Sequence, residues 1–172
     1  GEVRVDPVGK ISVGQEGEKR SEFGELMSAG AVAVSDDGKP VMSSHIMRTA
    51  MEYARTFGMP VADHCEEITL AHAGAMHEGI VATKLGLTGI PSAAEEIHVA
   101  RDIILSELTG AHIHLCHLST RGPVSLIRRA QDLGLRGTAA GPPPPFPPTH
   151  AAALSHHTHA RLHPPTPAVE GP

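Results

Sequence analysis

Ala31-Val32-Ala33-Val34-Ser35-Asp36-Asp37-Gly38 is a short apolar run of alternating alanine and valine that closes on a serine, two carboxylates and a turn-forming glycine. A run of this length bounded by turn signals reads as a strand. Two other runs end in the same manner. Met59-Pro60-Val61-Ala62-Asp63 leads into His64, and His112-Ile113-His114-Leu115-Cys116 leads into His117. Each is followed by a loop and then a helix-like segment. In a parallel βα array the carboxyl ends of the strands open onto one face, where barrel enzymes carry their chemistry. Asp37, His64 and His117 are therefore the candidate metal ligands. A carboxylate with two imidazoles is a donor set that Zn²⁺ takes. Each residue also has a plainer reading. Asp36-Asp37-Gly38 can be an ordinary turn, and His64 can be a packed, hydrogen-bonded histidine at a strand end.

Working outward, residues 1–136 carry α/β punctuation throughout. Val3-Arg4-Val5 opens the pattern, followed by Asp6-Pro7, a Gly-rich loop and a short helix around Ser21–Ser28. Ser44 is expected to cap a helix whose inward stripe is Met47, Ala50, Met51 and Ala54, stopped by Gly58 and Pro60. Ser92 and Glu95 read as a capping box. The helix they open is expected to turn Ile97, Ala100, Ile104 and Leu108 inward and to stop at Gly110. A further helix starts near Pro123, with Val124 and Ile127 on its packed face and Gly134 as terminator. A last strand begins at Leu135. Alternating strands and helices indicate an α/β fold with a parallel sheet or barrel. His112 and His114 fall on the face opposite His117, as packing or surface residues. His45, His72, His77 and His98 lie on helical or loop stretches and read as solvated.

With 172 residues the chain allows one domain of ordinary size. A complete (β/α)₈ barrel takes about 250 residues, so a barrel here would be partial. The net charge is −5 and aromatics make up 2%. No basic face interleaved with aromatics appears, which excludes nucleic acid as the expected partner. No apolar run approaches the roughly 18 residues of a membrane span, so no membrane role is expected, and no signal peptide is legible. The two cysteines, Cys65 and Cys116, each neighbour a candidate histidine and point away from it. As buried free thiols they fit a reducing cytoplasm.

The pattern breaks at Gly137. Residues 137–172 hold ten of the 15 prolines and five of the 13 histidines, with no Ile, Lys or Asp. Such a segment is expected to form neither helix nor strand and to be disordered, with polyproline II over Pro142–Pro145. Its Pro/Ala/His/Arg vocabulary is that of a GC-rich gene read in a shifted frame. The expected organisation is a partial barrel over 1–136 and a Pro/His-rich tail over 137–172.

Five motifs taken together resemble class I dihydroorotase, of the amidohydrolase superfamily. They are Gly30 through Gly38, His64-Cys65-Glu66-Glu67, the run from Glu78-Gly79 through Gly89-Ile90-Pro91-Ser92 to Glu95-Glu96, Ala100-Arg101-Asp102, and Cys116-His117-Leu118-Ser119-Thr120. The likeness covers residues 3–136 in continuous order. It implies a partial TIM-type barrel of the metal-dependent amidohydrolase kind, spanning about strands three to seven. It also implies that His64 and His117 are the zinc ligands of the fifth and sixth strands. Asp37 stands where hydantoinases and allantoinases carry a carbamylated lysine, which favours dihydroorotase over them. The implied function is the reversible, zinc-dependent cyclisation of N-carbamoyl-L-aspartate to dihydroorotate in pyrimidine (UMP) synthesis. Alternatives are another cyclic amidohydrolase such as allantoinase, or a non-catalytic partner of aspartate transcarbamoylase. Retention of all three candidate ligands argues against the last. The family's first His-x-His motif, with its substrate-binding arginine, falls before Gly1. Its catalytic aspartate falls beyond anything recognisable here, so no general base is expected within this chain and the 172 residues alone are expected to be inactive. Where the family continues Thr-x-Glu-x-Thr-Pro-His-His, this chain has Thr138-Ala139-Ala140-Gly141 followed by four prolines.

Overall fold

The structure, a computed structural model, describes residues 3–141. Its elements alternate along the chain as β1 (Val8–Gly9), α1 (Phe23–Ser28), β2 (Ala33–Ser35), α2 (Ser44–Thr56), β3 (Val61–His64), α3 (Ile68–Ala71), β4 (Met76–His77), α4 (Ile80–Leu85), β5 (Gly89–Ile90), α5 (Ser92–Thr109), β6 (Ile113–Cys116), α6 (Arg121–Asp132) and β7 (Gly137–Ala139). Five strands form one sheet in the order β1-β2-β3-β6-β7, every neighbouring pair parallel. Sequential order with helical returns is the layout of a barrel segment. The chain leaves it once, between β3 and β6, for a small parallel pair, β4 and β5. The α/β expectation holds, with two shifts at its margins. The first strand is Val8–Gly9, and Val3 and Val5 are exposed. The last is Gly137–Ala139, paired to β6 through Ile113↔Gly137 and Leu115↔Ala139. The sheet thus runs three residues past the expected break at Gly137, because strand pairing needs no large side chains. The polyproline segment lies outside the described residues.

Strand alternation divides each strand between two environments. Val34, Val61, Ile113 and Leu115 are fully buried with Phe23, Met47, Met51 and Val99 under the helices. Burying each such side chain contributes roughly 1.5–3 kcal/mol. Ala62, His114 and Cys116 lie on the other, open face and are only half-buried.

Helix α2 follows its apolar stripe: Met47, Ala50, Met51 and Ala54 are all fully buried. Its cap is Ser43 rather than Ser44, the Oγ accepting from the Ile46 amide at 3.3 Å. At its other end Gly58 takes φ +64°, donating to Arg55 O, while Met59 N donates to Ala54 O. This pair of bonds closes the helix on a left-handed residue, where glycine avoids the Cβ penalty. The same closure recurs at Gly134, after α6.

Helix α5 corrects the sequence reading. Ile97, Ile104 and Leu108 are 52%, 62% and 62% exposed, whereas Ala94, His98, Val99, Asp102, Ile103 and Ser106 are buried. The helix lies between α2 and α6 and presents a mixed polar and apolar face inward. Ser106 Oγ, for instance, donates to Ala111 O at 2.7 Å. An apolar stripe misidentifies the buried face when the buried polar groups have partners. On α6, Ile127 is buried as expected and Val124 is largely exposed.

Candidate metal centre

Asp37 lies two residues beyond β2, His64 ends β3, and His117 follows β6. The fold brings their ligand atoms together at the carboxyl edge of the sheet. His117 Nε2 lies 2.9 Å from His64 Nδ1 and 3.0 Å from Asp37 Oδ1, and His64 Nδ1 lies 3.5 Å from Asp37 Oδ1. Ligands bound to one zinc at about 2.0–2.1 Å in a tetrahedron stand roughly 3.3–3.4 Å apart. A triangle of 2.9, 3.0 and 3.5 Å therefore fits a single ion touching all three. Two borderline nitrogen donors and one hard oxygen suit zinc or a neighbouring divalent metal.

Each candidate ligand has its own support. Asp37 N donates to Ser35 Oγ at 3.0 Å, forming the turn that carries the carboxylate out. Partial burial raises the Asp37 pKa, but the hydrogen bond and charge of His117, the Gly38 amide and His64 outweigh it and leave the carboxyl below its usual value. His64 is almost wholly buried, and its Nε2 sits 3.4 Å from Glu66 Oε2. A proton on Nε2 shared with that carboxylate leaves the Nδ1 lone pair for a metal. His117 has φ +37°. A non-glycine residue in the left-handed region costs of order 1–3 kcal/mol and is held by its surroundings.

The adjoining carboxylate, Asp36, does different work. It is buried and accepts from Ile11 N at 2.9 Å, from Ser12 N at 3.1 and 3.2 Å, and from the Ser12 hydroxyl. It ties the loop after β1 to the end of β2. Glu95 also departs from its expected role. Helix α5 has Pro91 as N-cap with no side-chain cap bond, and the Glu95 carboxylate crosses instead to Ser119 and Thr120.

Behind β3 lies a second polar cluster that the sequence reading missed. Asp63 and Asp102 are fully buried. Arg101 bridges them, with Nη2 donating to Asp63 Oδ2 at 3.1 Å and to Asp102 Oδ1 at 2.7 Å, and Nε donating to Asp102 Oδ1 at 2.8 Å. Its Nη1 donates to Val41 O at 2.6 Å. Burial and the neighbouring Asp102 push Asp63 well above the usual carboxylate range. His98, expected to be solvated, is buried 3.4 Å from Asp63 Oδ2. Burial and Arg101 lower its pKa. The Arg101-Asp102 dipeptide was a legible signal, because a charged pair inside an apolar helix needs partners. Cys65 is buried, and burial together with Asp63 raises its thiol pKa well above the usual value. Burial, Asp37 and Asp63 push Cys116 up to about 11. Both stay protonated thiols at neutral pH, and Cys116 is half-buried rather than buried.

The parallel βα arc, with the donor triangle at its carboxyl edge as a candidate metal site, defines a segment of a (β/α) barrel. Residues 1–122 match the Dihydro-orotase-like family, and the chain belongs to that family. It is 50% identical over 165 residues to a dihydroorotase of Pelotomaculum thermopropionicum and 53% identical over 165 residues to one of Acetivibrio thermocellus. In both cases 96% of this chain is covered and 39% of the relative, so the chain spans about two fifths of their length. Among solved structures, an L-hydantoinase (dihydropyrimidinase) from Arthrobacter aurescens superposes with a TM-score of 0.72 at 18% identity, covering 94% of this chain and 37% of that one. A D-hydantoinase (dihydropyrimidinase) from Thermus sp. gives 0.62 at 20% identity, with 93% and 36% covered. These structural likenesses establish the fold, a partial (β/α) barrel. Among the described residues, no helix is long and apolar enough to cross a membrane.

Proposed function

We propose that the chain is the metal-holding segment of a dihydroorotase, acting on dihydroorotate and N-carbamoyl-L-aspartate in pyrimidine synthesis in the cytoplasm. The observation that carries this reading is the 50–53% identity to proteins named dihydroorotase across 96% of the chain. Asp37, His64 and His117 would hold the ion, and zinc is the metal their donor set favours. When bound, such an ion polarises a carbonyl oxygen and lowers the pKa of water.

The chain's own residues supply placement. Glu66 orients His64 through Nε2. Asp37, held ionised beside His117, contributes the negative charge that offsets part of the ion's. The cleft beside the triangle is lined by His64, Glu66, His77, Glu95, His117 and Ser119. No residue here is assigned the proton transfer, which the resemblance gives to an aspartate outside residues 1–172. The 172 residues alone are accordingly expected to show no turnover.

The test is a graft. Residues 3–141 replace the matching segment of the Acetivibrio thermocellus relative, and the product is assayed for bound zinc and for dihydroorotate hydrolysis. Stoichiometric zinc and turnover, both lost in Asp37→Ala and His117→Ala, are expected. Faster hydrolysis of hydantoin or dihydrouracil than of dihydroorotate would overturn the substrate assignment. Retention of zinc in both variants would overturn the ligand set.

A further inference from the structure

We propose that Glu95 is the positioning residue that turns His117 toward the donor triangle; this rests on the metal-centre reading above. The register His64↔Cys116 places those two side chains on the same, open face of the sheet. By alternation the next residue, His117, would follow Ile113 and Leu115 to the helix side, as Cys65 does after His64. It does not. The backbone at His117 swings to φ +37°, and the ring turns back to lie 2.9 Å from His64 Nδ1. A side-chain-bearing residue keeps that conformation only where its neighbours impose it.

Two anchors on the following residues do so. Leu118 N donates to Ala140 O at 2.8 Å. Glu95, buried in the first turn of α5, then takes four hydrogen bonds from Ser119 and Thr120. Its Oε2 accepts from Ser119 N and Ser119 Oγ, both at 2.8 Å, and its Oε1 accepts from Thr120 N at 2.9 Å and Thr120 Oγ1 at 2.6 Å. Only a carboxylate accepts at both ends. An amide of the same shape keeps one acceptor and sets an NH₂ against the other two donors. The rival role is local: Thr120 is the N-cap of α6 and has no side-chain cap bond, so Glu95 could serve that helix alone. A pure cap would move stability and leave His117 in place.

The experiment uses the full 172-residue chain as wild type, Glu95→Gln and Glu95→Ala, with Glu107→Ala on the exposed side of α5 as control. The first readout needs no metal. Long-range ¹H–¹⁵N spectra should show the His117 ring nitrogens moving toward free-imidazole positions in both Glu95 variants, while His114 and the control stay unchanged. The second uses Zn²⁺ alone in competition with a chromophoric chelator. Affinity should fall roughly 10- to 100-fold, the range seen when a residue supporting a ligand is lost. Lower thermal stability with unmoved His117 resonances and unchanged Zn²⁺ affinity would reduce Glu95 to a cap and overturn the proposal. If Glu95→Ala does not fold, Ser119→Ala with Thr120→Val removes only the two hydroxyl donors and should give the smaller shift of the same sign. Collapse of that pair as well would make the contact a folding requirement and also overturn positioning. A wild type that binds no zinc, with His117 still displaced in Glu95→Gln, would end the metal reading and leave the positioning role standing.

Discussion

Replacing Arg101 with methionine removes the one guanidinium that lies between two fully buried carboxylates. The side chain is mostly buried, so methionine fills most of its volume and the change is chiefly electrostatic. Lost are the bonds to Asp63 and Asp102 and the bond to Val41 O. Asp63 Oδ1 and Asp102 Oδ2 already lack hydrogen-bond partners, so neither carboxylate has spare stabilisation. Breaking a buried ion pair from one side costs about 3–5 kcal/mol. That is a large share of the roughly 5–15 kcal/mol that holds a domain together. The cost should also depend on pH. Without Arg101 the Asp63 carboxyl shifts further above its unfolded pKa of about 3.9, so the folded variant binds more protons than the unfolded chain. Stability then falls as pH rises from about 4 toward neutrality, by up to about 1.4 kcal/mol per pH unit for each extra proton held. Urea unfolding of wild type and Arg101→Met at pH 7.5 and pH 5 should show a deficit of about 3–5 kcal/mol that shrinks in acid. A deficit below about 1 kcal/mol at pH 7.5, or one that grows in acid, would refute the argument.

Asp37→Ala should abolish tight zinc binding in equilibrium dialysis. It should change metal-free stability by no more than about 0.5 kcal/mol, since the carboxylate is largely exposed. Asp36→Asn, one residue earlier, should do the opposite: about 1.5–3 kcal/mol of stability lost in urea, because buried amides and a hydroxyl lose a charged acceptor. His98 titrates below its unfolded value of about 6.5, so its stabilising contribution is complete above that pH and is lost as pH falls through the lowered folded value. The advantage of wild type over His98→Gln should therefore be greatest above pH 7 and shrink toward pH 5; an advantage that grows in acid would contradict the burial of a neutral ring.

The strand ends were legible because each combines an apolar run with a polar closing residue, and turns must follow where such runs stop. The α2 stripe was legible because every buried residue on it is apolar. On α5 the same reasoning chose the wrong face. Asp102 occupies the buried side by pairing with Arg101, and His98 by lying neutral beside Asp63, residues whose proximity depends on the β3–α5 packing rather than on spacing along the chain. Asp37 and His64 follow from alternation along their strands. His117 was placed correctly at a strand end, but its orientation depends on a backbone reversal that no pattern of residue types announces. Glu95 illustrates the limit: Ser-x-x-Glu is a local capping signal, and a partner 24 residues away displaced it.

The excursion through β4 and β5 has a kinetic consequence. Strands β2 and β3 come together across a short return that α2 bridges, whereas β6 must find β3 across the 48 residues between His64 and Ile113. Closing a loop of that size costs about 3.4 kcal/mol beyond the constant term, before any contact compensates it. The excursion offsets part of this by condensing on itself around Ala71, Ile90 and Ala94 and around Met76, Val81 and Ala82, which draws its two ends together. The shorter separation favours early pairing within the β2–α2–β3 unit, with β6 joining β3 across the longer one. His117 arrives with the last of these steps. The donor triangle is thus complete only once β6 has paired with β3, so an ion held there would stabilise the longest-range strand pairing of the sheet.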